Sequence, residues 1–157
     1  MIETLVLQAS SGFGLGAMPL MPGTFGSLLG LPLAWWMLRR QKAGQMILLI
    51  TLLLIAVPLC HWGSLWHGGG DAPRIVADEY LAFPVSVFAL SSVPRGLLLL
   101  MAFPIFRLFD ALKLPPLDVL EGMGGGLGIV LDDLMAALYT WLVLIIGIGL
   151  WRRFRMA

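Results

Sequence analysis

GGGLGIVLDDLMAALYTWLVLIIGIGLWRRFR, residues 124–155, sets an apolar run of membrane length behind two adjacent carboxylates, Asp132 and Asp133. Crossing the hydrocarbon of a bilayer takes about 20 helical residues. The stretch from about Gly128 to Trp151 supplies them and stops at Arg152, Arg153 and Arg155. Two carboxylates beside such a run are costly unless they are paired or bind a metal, so the pair is a functional candidate rather than a solvated face. On a helix, neighbours sit about 100° apart. One aspartate can therefore hold an ion while the other orients a ligand, or both can bridge ions.

The rest of the chain has the same character. Of its residues, 59% are hydrophobic and 12% charged, and the mean hydropathy is +0.94. A soluble domain carries about 25% charged residues. The length fits a single domain, residues 1–157. One cysteine, Cys60, excludes an intrachain disulfide and a multi-cysteine zinc site, and it reads as a small apolar helix residue. The start, MIETLVLQAS, lacks the basic residues of a secretory signal, so the whole chain is read as mature protein.

Four further helical segments are expected. The first runs from Thr24 to Leu38. The second runs from about Met46 to Trp66, with Pro58 as a kink site. The third starts at Asp78-Glu79 and ends in the Ser91-Ser92-Val93-Pro94 breaker. The fourth runs from Gly96 through Phe106 to Leu114, before Pro115-Pro116. Only the second and the last comfortably reach membrane length. Most tryptophans lie near segment ends, as in an aromatic belt. The expected fold is all-α, a polytopic membrane bundle of about four to five hydrophobic helices with a glycine-rich acidic site at one membrane face.

Alternating five segments across a bilayer sorts the charges. Every acid falls on one face: Glu3, Asp71, Asp78, Glu79, Asp110, Asp118, Glu121, Asp132 and Asp133, with Arg74, Arg107 and Lys113 as its bases. The other face takes the remaining bases and no acid. A divalent cation is an economical way to relieve the repulsion among the acids.

Four stretches on the acidic face carry candidate chemistry. In PGTFGS (22–27), Thr24 is placed to cap a helix whose N-terminus favours an anion, or the motif is a plain turn into a helix. In IVADEYLAF (75–83), Asp78 and Glu79 open a helix, which the dipole alone would favour. In FRLFDALKLPP (106–116), the three-residue spacing of Arg107, Asp110 and Lys113 puts them on roughly one helix face. They either pair with each other or present a metal-binding carboxylate between two phosphate-binding cations. The fourth is the glycine run leading to Asp132 and Asp133. Oxygen-only carboxylate sites suit Mg²⁺. His61 and His67 read as interfacial side chains rather than ligands.

Other motifs fail. GFGLGA (12–17) has no preceding strand and no acid at the dinucleotide-fold offset. Neither glycine run continues into a P-loop, and no nucleophile elbow is present. The chain also lacks a catalytic cysteine pocket signature, the Asp-x-Asp-x-Thr phosphatase start and the acid-phosphatase-like signature.

Together, PGTFGS, IVADEY, FRLFDALKLPP and GGLGIVLDD, in that order and spacing, resemble the phosphatidylglycerophosphatase A family over roughly residues 12–150. Leu114 departs from the family pattern, which tends to place proline straight after the lysine. The resemblance implies a bacterial integral membrane phosphatase that converts phosphatidylglycerophosphate to phosphatidylglycerol with Mg²⁺. It also implies a multi-pass protein of the cytoplasmic (inner) membrane, with no nucleic-acid partner.

Chemistry then assigns expected roles. Asp78, Glu79, Asp110, Asp132 and Asp133 would hold one or two Mg²⁺ ions. Asp110, Lys113, Asp132 and Asp133 would be catalytic. Thr24, Arg107, Lys113, Gly125 and Gly126 would bind phosphate. A metal-activated water and an aspartyl-phosphate intermediate both remain open as mechanisms. The competing class is a small ion or proton transporter using the acidic pairs as its path. Orientation is contested: basic loops favour the cytoplasm, whereas a substrate made on the cytoplasmic leaflet places the acidic site there. The substrate argument is weighted more, which puts the C-terminus outside.

Overall fold

The computed structural model describes residues 1–69, 74–112, 114–115 and 124–156, and all regular structure among them is helical. The helices are α1 (Ile2–Ser10), α2 (Pro22–Leu28), α3 (Gly30–Met37), α4 (Lys42–Trp66), α5 (Ala77–Ala82), α6 (Arg95–Leu112) and α7 (Gly125–Met156). Short 3-10 turns occupy Leu15–Ala17 and Phe83–Val87. Lys113, Asp71, Asp118 and Glu121 lie outside the described residues.

Among the described residues, two helices are long and apolar enough to cross a membrane: Lys42–Trp66 and Gly125–Phe154. Only 28% and 22% of their most apolar windows are buried inside the protein. A core helix of a soluble domain would be largely covered; these leave an apolar surface of the kind a bilayer covers.

The expectation of four to five hydrophobic helices is corrected to two of spanning length, and proline chemistry accounts for much of the difference. Pro32 has no N–H to offer the Leu28 carbonyl, so the first segment breaks at Leu29 into α2 and α3. Pro84 cannot serve the Tyr80 carbonyl, and the third segment tightens from α5 into the Phe83–Val87 turn. Pro58, the expected kink site, lies inside α4, which continues to Trp66. The 18 residues of α6 cover about 27 Å, and Arg107 and Asp110 occupy its last two turns.

The two long helices pack antiparallel. Gly126 opens α7 against Val57 and His61 near the end of α4. Farther along, Leu134 and Trp141 share a groove with Leu49 and Leu53. The start of α6 adjoins the end of α7, where Leu97 and Trp151 line one groove. Phe83 and Phe106, both fully buried, meet edge to face at 5.4 Å in the core between these helices. Trp141 is more than a belt residue: its Nε1 donates to the Phe88 carbonyl at 2.9 Å. This arrangement gathers Arg39, Arg40, Lys42, Arg95, Arg152 and Arg153 at one end of the bundle, at the chain positions where α3 stops, α4 and α6 start and α7 stops.

Candidate active site

At the opposite end lies a cavity of about 300 Å³ lined by Gly23 and Thr24 of α2, Asp78 and Glu79 of α5, Arg107 and Asp110 of α6, and Asp132 and Asp133 of α7. Met21, Pro22 and Ile75 complete the wall. All five carboxylates proposed as metal ligands are therefore brought together, with Thr24 and Arg107.

Helix geometry explains the meeting. Asp78 and Glu79 fall in the first turn of α5. Arg107 and Asp110 are one turn apart on α6 and form an ion pair at 2.5 Å. Asp132 and Asp133 lie two turns inside α7, which starts at Gly125, so about 11 Å of helix precedes them. The helix begins about three residues before the expected Gly128, and the 134–156 portion beyond the pair is still of spanning length. Small residues bring α2 and the start of α3 close: a Cβ on Gly23 would run into Glu79 Oε1 and Arg107, one on Gly26 into Val76, and one on Gly30 of α3 into Phe83.

The electrostatics are strained by burial. Asp78, Asp132 and Asp133 are 6%, 9% and 4% exposed, and Asp133 Oδ1 has no hydrogen-bond partner among the described residues. Arg107 Nη1 stands 3.3 Å from Glu79 Oε2 and donates to Ser27 Oγ at 3.2 Å. Burial pushes the Glu79 carboxyl up to about 7, against the opposing pull of the Arg107 guanidinium and the Ser27 hydroxyl, while Asp110 adds to the rise. Of the two sequence readings of Arg107 and Asp110, mutual pairing is present, and Arg107 also bridges to Glu79.

The donor set is chemically suited to Mg²⁺: it is made of carboxylate oxygens, and Asp133 Oδ1 is buried with no hydrogen-bond partner among the described residues. Among the described residues no three acidic, His or Cys side chains already converge as a ligand set. The donors share a cavity without being focused on one point.

Three expectations change in position. Thr24 does not cap α2: the helix starts two residues earlier with Pro22 at its first position, and Thr24 sits inside the first turn facing the cavity. Gly125 and Gly126 do not line the cavity. They lie against α4, where a Cβ on Gly126 would meet the Val57 carbonyl and the His61 backbone, so their smallness serves helix contact. His61 and His67, not expected as ligands, do not line the cavity. Sequence reading missed Ser27, which is fully buried with its hydroxyl on Glu79. Its one legible signal is the four-residue spacing from Gly23, which puts both on one face of α2.

The phosphatidylglycerophosphatase A family model matches residues 8–148. The chain is 34% identical over 137 residues to phosphatidylglycerophosphatase A of Escherichia coli (strain K12), covering 82% of this chain and 75% of that one. It is 34% identical over 143 residues to phosphatidylglycerophosphatase A of Haemophilus influenzae, covering 89% and 86%. A Bacteroides thetaiotaomicron protein with the provisional name phosphatidylinositol-3-phosphatase is 29% identical over 153 residues, covering 91% and 93%. No solved structure gives a significant match. All three relatives are named as phosphatases, and the transporter reading has no support among them.

Proposed function

The chain belongs to the phosphatidylglycerophosphatase A family and is a lipid phosphatase; from that premise we propose that it hydrolyses the phosphate monoester of phosphatidylglycerophosphate in a Mg²⁺-dependent reaction, giving phosphatidylglycerol and inorganic phosphate. The observation that carries this reading is the cavity itself. It combines five carboxylates, one guanidinium and one hydroxyl at one end of a bundle whose long helices suit a bilayer. A lipid head group at the membrane surface can reach such a site while its acyl chains stay in hydrocarbon.

The net reaction forms a bond between a water oxygen and phosphorus and breaks the phosphorus–oxygen bond to the glycerol carbon chain. The departing glycerol oxygen takes a proton. Asp78, Glu79, Asp110, Asp132 and Asp133 would hold the cation. When bound, Mg²⁺ supplies Lewis acidity toward the phosphoryl oxygens and acidifies water. Thr24 offers its hydroxyl to a phosphate oxygen. Arg107, now engaged with Glu79 and Asp110, would turn part of its donor fork to the non-bridging oxygens. Lys113, which follows Leu112 in the sequence, is proposed as a second cation for the same charge. Asp133, whose Oδ1 is buried with no hydrogen-bond partner among the described residues, is the carboxylate proposed to take a proton from the attacking water.

The protein is proposed to lie in the bacterial inner membrane with the acidic cavity toward the cytoplasm. A C-terminal reporter fusion would then read as external. The substrate test is phosphate release from a panel containing phosphatidylglycerophosphate, phosphatidate and phosphatidylinositol 3-phosphate. The proposal expects phosphatidylglycerophosphate to be turned over with the highest kcat/KM, and a clear preference for either of the others overturns it.

A further inference from the structure

We infer that Ser27 is a positioning residue whose buried hydroxyl fixes the Glu79 carboxylate and the Arg107 guanidinium in one relation within the cavity. The inference rests on the reading of Glu79 and Arg107 as working groups of the site. Ser27 is fully buried on α2. Its Oγ lies 2.6 Å from Glu79 Oε2 and 2.8 Å from the Gly23 carbonyl, and it accepts from Arg107 Nη1 at 3.2 Å.

A hydroxyl has one proton and two acceptor sites. The shorter contact is to a carboxylate, and charge-assisted bonds are the stronger ones. Donating to Glu79 leaves an oxygen lone pair for Arg107, so one small group serves an acid and a base together. The hydroxyl is itself held. Gly26 of α2 is pressed on Val76, and Gly30 at the start of the following α3 on Phe83, so α2 has little room to shift.

Without the hydroxyl, Arg107 keeps only its carboxylate partners. Glu79 is already 3.3 Å from Arg107 Nη1, and nothing else on α2 is hydrogen-bonded to it among the described contacts. The pair then closes on itself, and both groups turn away from an incoming phosphate or cation. The missing hydroxyl thus reaches the reaction through Glu79 and Arg107, not through contact with the substrate.

The test compares purified Ser27→Ala, Ser27→Thr, Glu79→Gln and the Ser27→Ala/Glu79→Gln double variant, with folded fraction followed by thermal unfolding in detergent. Ser27→Ala is expected to lower kcat about tenfold or more with KM for phosphatidylglycerophosphate within about twofold. Ser27→Thr, which keeps the hydroxyl, is expected to recover most of that loss. The double variant is expected to be no slower than Glu79→Gln alone. Wild-type kcat in Ser27→Ala beside an impaired Glu79→Gln overturns the positioning role and leaves the site reading intact. Wild-type turnover in Glu79→Gln overturns the site reading itself. A loss in Ser27→Ala that tracks its folded fraction and is not relieved by threonine also overturns the inference.

Discussion

Asp110 and Asp132 differ in setting more than in chemistry. Asp110 is ion-paired to Arg107 on its own helix, whereas Asp132 is 9% exposed beside the more enclosed Asp133. Replacing either carboxylate by an amide keeps the shape and removes the charge. Asp110→Asn and Asp132→Asn are each expected to lower phosphatase kcat by at least about 100-fold while the protein still folds and inserts. Near-wild-type turnover in both purified variants contradicts the metal-site account. Glu79 makes a separate prediction. Its raised pKa means that the folded protein holds this proton more tightly than the unfolded chain. Stability from the group is full below its ordinary value of 4.5 and is lost as pH rises through about 7. Chelator-treated protein should therefore melt at falling temperature from about pH 5 to about pH 8, with a flatter profile for Glu79→Gln. Equal slopes for the two proteins contradict the burial argument. At this scale the sequence was informative about the carboxylates, because acids are conspicuous in an apolar chain. It gave little on Ser27, whose partner Glu79 is 52 residues away; the four-residue spacing from Gly23 sets its face of α2 but not what that face meets.

The helices repay a different reading. Length and apolar content located α4 and α7 within a few residues, since both are nearly uniform runs. The same uniformity hid the breaks in the first and third segments, because apolar residues on every side leave no periodicity to interrupt. Pro32 and Pro84 were the available signals, and what distinguishes them is position. Each stands near the start of a new helical piece and denies a hydrogen bond to the piece before it, whereas Pro58 is carried within a long helix. Glycines were legible as close-approach residues, but not as to what they approach. Gly126 meets α4 backbone, whereas a methyl group added at Gly147 would have nothing within 4 Å. Gly126→Ala is expected to destabilise the protein by about 1–3 kcal/mol through overpacking. Gly147→Ala, in an open helix interior, should be neutral or stabilising by up to about 1 kcal/mol. Denaturant unfolding of the two variants in one detergent checks the contrast, and equal effects would contradict the α4–α7 contact.

For the molecule as a whole, the separation of charge is the organising feature. Bases gather where α4 begins and α7 ends, and the buried acids gather where α4 ends and α7 begins. The long helices hold the two ends apart, and α7 alone, at 32 residues, extends about 48 Å. Short α2 and α5 and the last turns of α6 then close around the acidic end to make a cavity rather than a flat charged face. Within that cavity Arg107 offsets only part of the charge of five carboxylates, so the site is expected to need a divalent ion to work. The most direct test is phosphate release from phosphatidylglycerophosphate in mixed micelles by purified protein stripped with chelator and then titrated with Mg²⁺. The account predicts release that vanishes on stripping and returns with added Mg²⁺. Undiminished release after stripping, or no release at any Mg²⁺ concentration, would contradict it.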